Sequence, residues 1–200
     1  MTNKTLIEGP APSRRALLTN GGKAALSVSA ILALSGASGA LTRAFADHGD
    51  AAQDVAILNV ALALEHEAIG AYQLGAESGF LSKDVLGVAV EFQSHHKAHR
   101  DALAGAIRSM GGEAVDTKTL SDYAKALNAG SLKSQKDVLM LAARLELGAA
   151  NAYLGVIPSF ESRDLAQISA RLAADETMHW TALTSVLGGS LPKDALTFGA

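Results

Sequence analysis

The 200-residue chain has no cysteine, only four prolines and only nine aromatic residues. Without cysteine there is no disulfide to rely on in an oxidising compartment, so stability must come from the core or from bound ligands. No strongly alternating apolar/polar run is present to suggest a strand. Nothing in the chain makes a basic stripe, which argues against a nucleic-acid partner. What is abundant is alanine, leucine and glycine, and that composition favours an all-α fold.

Charge is divided along the chain. Residues 1–46 carry five Lys/Arg against one Glu, net +4, whereas residues 47–200 carry 12 Lys/Arg against 19 Asp/Glu, net −7. Within the basic part, Ser13-Arg14-Arg15-Ala16-Leu17-Leu18 precedes a modestly apolar stretch, Ala24 to Leu41, and then Arg43 and Ala44-Phe45-Ala46. This is the order of a signal peptide: positive region, apolar region, small-x-small cleavage site. The paired arginines resemble a twin-arginine (Tat) export signal, and the serines and glycines that dilute the apolar stretch fit that route. Residues 1–46 are therefore expected to be removed after Ala46. That leaves a periplasmic domain, 47–200, with no stable membrane anchor once processed. The Tat translocase would be the partner during export. An uncleaved anchor is the alternative, but the stretch is barely long enough to span a bilayer. Tat substrates cross folded, and many bind a cofactor first.

The acidic body reads as four long helices of roughly 22–28 residues, each about 33–42 Å long. The first runs over 53–78 and ends at Gly79. The second starts at the cap Ser82 and ends before Gly111-Gly112. The third is capped by Ser134, with Asp137 completing a near capping box, and stops at Pro158. The fourth covers 161–187, before Gly188-Gly189. Short links make helices 1–2 and 3–4 antiparallel hairpins. The middle link, 111–133, contains a short helix near 121–127. It is long enough to return along the bundle, so that helices 2 and 3 run the same way; an up-down-up-down order is the alternative.

The hairpins look like copies. Ala61-Leu62-Ala63-Leu64-Glu65 matches Ala142-Ala143-Arg144-Leu145-Glu146, and each Glu is followed seven residues on by a tyrosine, Tyr72 or Tyr153. In the second helix of each hairpin, His99-Arg100-Asp101-Ala102-Leu103 matches His179-Trp180-Thr181-Ala182-Leu183. The repeat aligns the polar residues that interrupt the apolar stripes: Glu65, His96 and His99 in one half, Glu146, Glu176 and His179 in the other. A charge on a core stripe is costly unless paired or bound to a metal. Glu176 and His179, three apart, share a helix face and can reach one ion. Carboxylates with imidazoles suit iron, manganese or zinc. A buried ion pair is the competing explanation for Glu65, His99, Glu146, Glu176 and His179, and a polar core residue is the competing explanation for His96.

On these residues the chain resembles the ferritin-like superfamily, in particular exported bacterial ferritin-like domain proteins, over about residues 53–189. The resemblance implies a four-helix bundle with a long helix 2–helix 3 crossover, and one or two iron or manganese ions. It implies Glu on helices 1 and 3 and Glu-x-x-His on helices 2 and 4, here Glu65, Glu146, His99 and Glu176-x-x-His179. Helix 2 departs, with His96 where the family has a Glu. That lowers the carboxylate charge from −4 to −3 and weakens or removes the second metal position.

Other polar residues are expected to lie outside the ligand set. His95 and Glu91 read as solvated or as outer partners of ligands, Glu67 and His66 as solvated, and His48 as exposed near the mature terminus. Tyr72 and Tyr153 can donate to a ligating carboxylate or simply pack. Trp180 faces away from His179, for packing or an interface. The functional expectation is a metal-binding protein with a redox role toward dioxygen or peroxide. The alternatives are a degenerate, metal-free structural or stress protein, and a metal buffer without turnover. Self-association as a homo-oligomer is left open.

Overall fold

The computed structural model describes residues 50–199; the expected signal peptide, 1–46, and His48 lie outside the described residues. The described chain folds into helices α1 (Asp50–Glu77), α2 (Lys83–Ser109), α3 (Leu120–Ala126), α4 (Gln135–Val156) and α5 (Arg163–Val186). No strand occurs among the described residues. α1 packs along α2 and α4 along α5, so each hairpin is a unit.

Helix ends follow local chemistry. Gly79, at φ 73°, takes the left-handed conformation that terminates α1. Ser134 Oγ accepts from the Asp137 backbone N–H at 3.2 Å, and the Asp137 carboxylate accepts from the Lys133 N–H at 3.0 Å. Ser82 does precede α2, but its side chain makes no capping hydrogen bond. Thr119 and Asp122 form a full capping box on α3.

Cross-bundle contacts settle the topology. Gln53, at the start of α1, donates to the Ser159 carbonyl just before α5, and Asp54 accepts from the Glu161 and Ser162 N–H groups. The starts of α1 and α5 therefore share one end of the bundle. At the other end the Ser82 N–H, before α2, donates to Gln135 at the start of α4. Thus α2 and α4 run the same way, as the crossover topology requires. The crossover retraces α1: Asn59 holds Glu113 and Val115, and Tyr123 of α3 lies over Gly70. A Cβ on Gly70 would stand 2.7 Å from the Tyr123 ring, so only glycine lets α3 sit this close.

With α2, α4 and the crossover around it, α1 is covered on several sides rather than along one stripe. That corrects the expectation for Glu67, which is buried, 8% exposed, and lines the α1–α4 seam with Arg144 and Gly148. His66 is half-buried and bonds the Val115 carbonyl at 3.2 Å. Glu91 is exposed, as expected. Trp180 packs against the Leu139–Ala143–Leu183 group and meets Phe198 edge-on, at a centroid distance of 5.3 Å.

Candidate metal centre

The six residues that interrupt the apolar stripes meet at the centre of the bundle. Glu65 comes from α1, His96 and His99 from α2, Glu146 from α4, and Glu176 and His179 from α5. All six are buried, Glu176 completely and His99 least, at 7% exposure. They form two overlapping groups, Glu65–His96–His99–Glu176 and His96–Glu146–Glu176–His179. Within each group, one potential ligand atom per residue lies within 4.8 Å of all the others. His96 and Glu176 belong to both.

His96 occupies the middle. Its Nδ1 is 2.8 Å from Glu65 Oε2 and its Nε2 is 3.2 Å from Glu146 Oε1. Both ring nitrogens can donate only in the imidazolium form. Burial opposes that charge, but the carboxylates of Glu146 and Glu65 outweigh it and hold the imidazole well above its usual range. For His99 the same contest, against Glu176 and Glu65, ends with its pKa raised to about 10. His179 is raised too, with burial opposing and Glu146 and Glu176 prevailing. Burial also works against the Glu65 and Glu146 carboxylates, yet their histidine partners lower both. For Glu176 burial prevails and pushes the carboxyl up. Without a metal the cluster is thus a balanced network of imidazoliums and carboxylates.

One pair in that network is close but poorly aligned. His99 Nδ1 and Glu176 Oε1 are buried side-chain atoms with no hydrogen-bond partner, although they face each other at 3.2 Å. Glu65 Oε1 lies 3.5 Å from the same nitrogen. Buried polar atoms without a well-aligned hydrogen-bond partner are rare and costly. Here they converge with a third donor, as they would around a cation. The all-N/O donor set, three carboxylates and three imidazoles, suits iron, manganese or zinc. The residues present therefore fit a bound transition metal.

A second ring of partners links the hairpins reciprocally. Tyr72 donates to Glu146 and Tyr153 to Glu65, each tyrosine serving the glutamate of the other hairpin. The choice between hydrogen bonding and simple packing for the tyrosines is thereby decided for hydrogen bonding. Burial raises both phenols, which stay protonated donors. The outer nitrogens of the histidines behave in the same crossed way. His99 Nε2 is 3.2 Å from Asp175, and His179 Nε2 is 2.9 Å from His95 Nδ1. Asp175 and His95 each immediately precede the motif on their own helix, and each holds the histidine of the opposite motif. Such outer partners fix ring orientation and tautomer. Phe92 stacks on His179 from the other side, at a centroid distance of 4.1 Å.

Asp175 escaped the reading of the sequence, although extending the repeat by one residue (His95-His96-x-x-His99 against Asp175-Glu176-x-x-His179) would have exposed it. Asp54 escaped as well. It is 2% exposed, and its role of tying α1 to the start of α5 has no signature in spacing.

Residues 53–189 match the sequence profile of a known family, described as Ferritin-like domain. Among solved structures, the chain is similar to the crystal structure of a conserved hypothetical protein from Mycobacterium tuberculosis, with TM-score 0.60 and 23% identity. The match covers 74% of this chain and 99% of that one. At that identity the likeness speaks for the fold. No curated protein matches.

Proposed function

Because the chain belongs to the ferritin-like domain family, we propose that its buried cluster binds one or two iron or manganese ions; the Ser13-Arg14-Arg15 motif and the Ala44-Phe45-Ala46 site support twin-arginine export to the periplasm as the protein's place of work. The observation that carries the metal reading is the convergence, from all four long helices, of two overlapping ligand groups around unsatisfied donor atoms. Glu65, His99 and Glu176 would hold one ion, and Glu146, Glu176 and His179 the other, with His96 between them. A bound ion would supply reversible one-electron chemistry toward dioxygen or peroxide. The chain's own contribution is to orient the ligands, through Tyr72, Tyr153, Asp175 and His95, and to keep bulk water out. His96, His99 and His179 must give up protons to become ligands.

A second reading is favoured by His96 itself. Its contacts to Glu65 and Glu146 balance much of the cluster's charge without any ion. On that reading the site is degenerate and the protein structural. Elemental analysis of protein exported by its native route, beside Glu146→Ala, separates the two. About one equivalent or more of transition metal, reduced in the variant, supports the metal centre. Less than about a tenth of an equivalent in the wild type leaves the structural reading. Bound metal without peroxide consumption or ferrous oxidation would remove the redox role and leave a metal buffer.

A further inference from the structure

The bundle is filled unevenly on either side of the cluster. Toward the start of α1, residues such as Leu58, Leu103 and Leu165 close the core around a residual space of about 10 Å³. At the opposite end, where α1 ends and α2 and α4 begin, lies a cavity of about 280 Å³ lined by all four long helices. Its walls are almost entirely carbon, with Val85 and Val88 from α2, Leu139 from α4 and Leu183 from α5. Asp84, exposed at the rim, is the single charged side chain in the lining.

Protein interiors close-pack, and voids wider than a water molecule are few. An apolar cavity of about 150 Å³ stays dry and takes up benzene, because a water inside would lack its two to four polar partners. The present cavity is nearly twice that size and has the same kind of wall. It opens past Val88 and Val186, which are 43% and 62% exposed. Its buried side is formed by Tyr72 and Phe92, the residues that touch Glu146 and His179. An anionic ligand would bring like charge to Asp84.

We propose that this cavity is a binding site for one neutral apolar organic molecule of roughly ten carbons, a hydrocarbon or alcohol rather than a carboxylate. Its buried tip rests against Phe92 and Tyr72, on the Glu146–His179 side of the cluster. The site needs no metal to bind its ligand, so it stands or falls separately from the metal centre.

The test uses the full chain, with and without chelator. The fluorescent probe naphthalene, whose ten carbons match the cavity, is displaced by the 1-alkanol series from butanol to dodecanol. Trp180, the sole tryptophan, packs against the Leu139–Leu183 wall and gives an independent signal. Affinity should rise about fourfold per methylene and level off near ten carbons, when the cavity is full. Decanoate should compete more weakly than decanol. Ala89→Phe should abolish displacement while helix content and metal uptake persist. Ala182→Leu adds three carbons to the wall and should move the plateau to an alkanol about three carbons shorter. The shifted plateau keeps the proposal testable even if the larger substitution fails to fold. Three results would each overturn it: no saturable displacement, a length series without a plateau, or a plateau that ignores Ala182→Leu. A dimer that Val186→Asp dissociates, in a protein that binds no alkanol, would assign the opening to a second copy instead. Metal binding that survives a failure here leaves the metal centre intact, and the reverse holds equally.

Discussion

The two ligand groups at the centre of the bundle descend from one pattern, yet they differ in what they leave unfinished. The group around Glu65 and His99 contains an unsatisfied nitrogen, and His99 is held from behind by the Asp175 carboxylate. In the group around Glu146 and His179, the His179 nitrogens face Glu146, Glu176 and His95, so its outer partner is another imidazole. A carboxylate behind a ligating histidine raises its basicity and fixes its tautomer; an imidazole does less of the first. The source of the asymmetry is α2, where two histidines stand at the positions that Asp175 and Glu176 hold on α5. The Glu65–His99 group is thus the better prepared for a cation.

Breaking the shared member should have the largest effect. Glu176→Ala removes a ligand from both groups at once, and metal content measured by mass spectrometry should fall below about a tenth of the wild-type value. Retention of one full equivalent would mean that the groups are independent. Next come the outer partners. Asp175→Ala should weaken the first ion about 10–100-fold, the usual cost of losing such a partner, and His95→Ala should weaken the second by less. Competition titration against a chelator reads both, and equal losses would erase the asymmetry.

Restoring the missing carboxylate should sharpen the contrast from the other side. His96→Glu adds a charge that can serve both ions, and the second should bind about tenfold tighter. The protons test the same balance. His99 has a pKa of about 10, against an ordinary value of 6.5, so it is charged at neutral pH in the metal-free protein. A raised imidazole stabilises the fold fully below about pH 6.5, and that contribution fades as pH climbs through 10. Metal uptake must therefore release protons, and apparent affinity should increase as pH rises from 6 to 9. Potentiometry during titration with manganese checks the sign. Smallest are the tyrosines. Tyr72→Phe and Tyr153→Phe each leave a buried carboxylate one donor short and should cost about 1–3 kcal/mol in denaturant unfolding of the metal-free protein.

Much of this architecture was legible in the sequence because helices announce themselves locally. Ser134, Pro158 and the glycine pairs bound segments whose apolar spacing is helical, and a link too long for a turn implies a crossover. The six cluster residues were legible for another reason: charge on a core stripe is costly, and a repeated cost at matching depth asks for a cause. Glu67 was misjudged because its burial comes from a neighbouring helix rather than from its own stripe. The crossed pairing of Tyr72 with Glu146 and of His95 with His179 joins residues 74 and 84 positions apart, and no single-helix periodicity encodes it.

The hairpin arrangement also bears on the order in which the molecule forms. α1 with α2, and α4 with α5, are joined by links of a few residues, so their packing is close in sequence and is expected to form first. Everything that unites the two hairpins is distant in sequence: the crossed tyrosines, the shared His96, and the return of the 110–134 segment over Gly70. An ion that draws ligands from all four long helices can be captured only after that docking. Its arrival would mark completed assembly, and its loss should let the halves part in hydrogen exchange before either hairpin unravels.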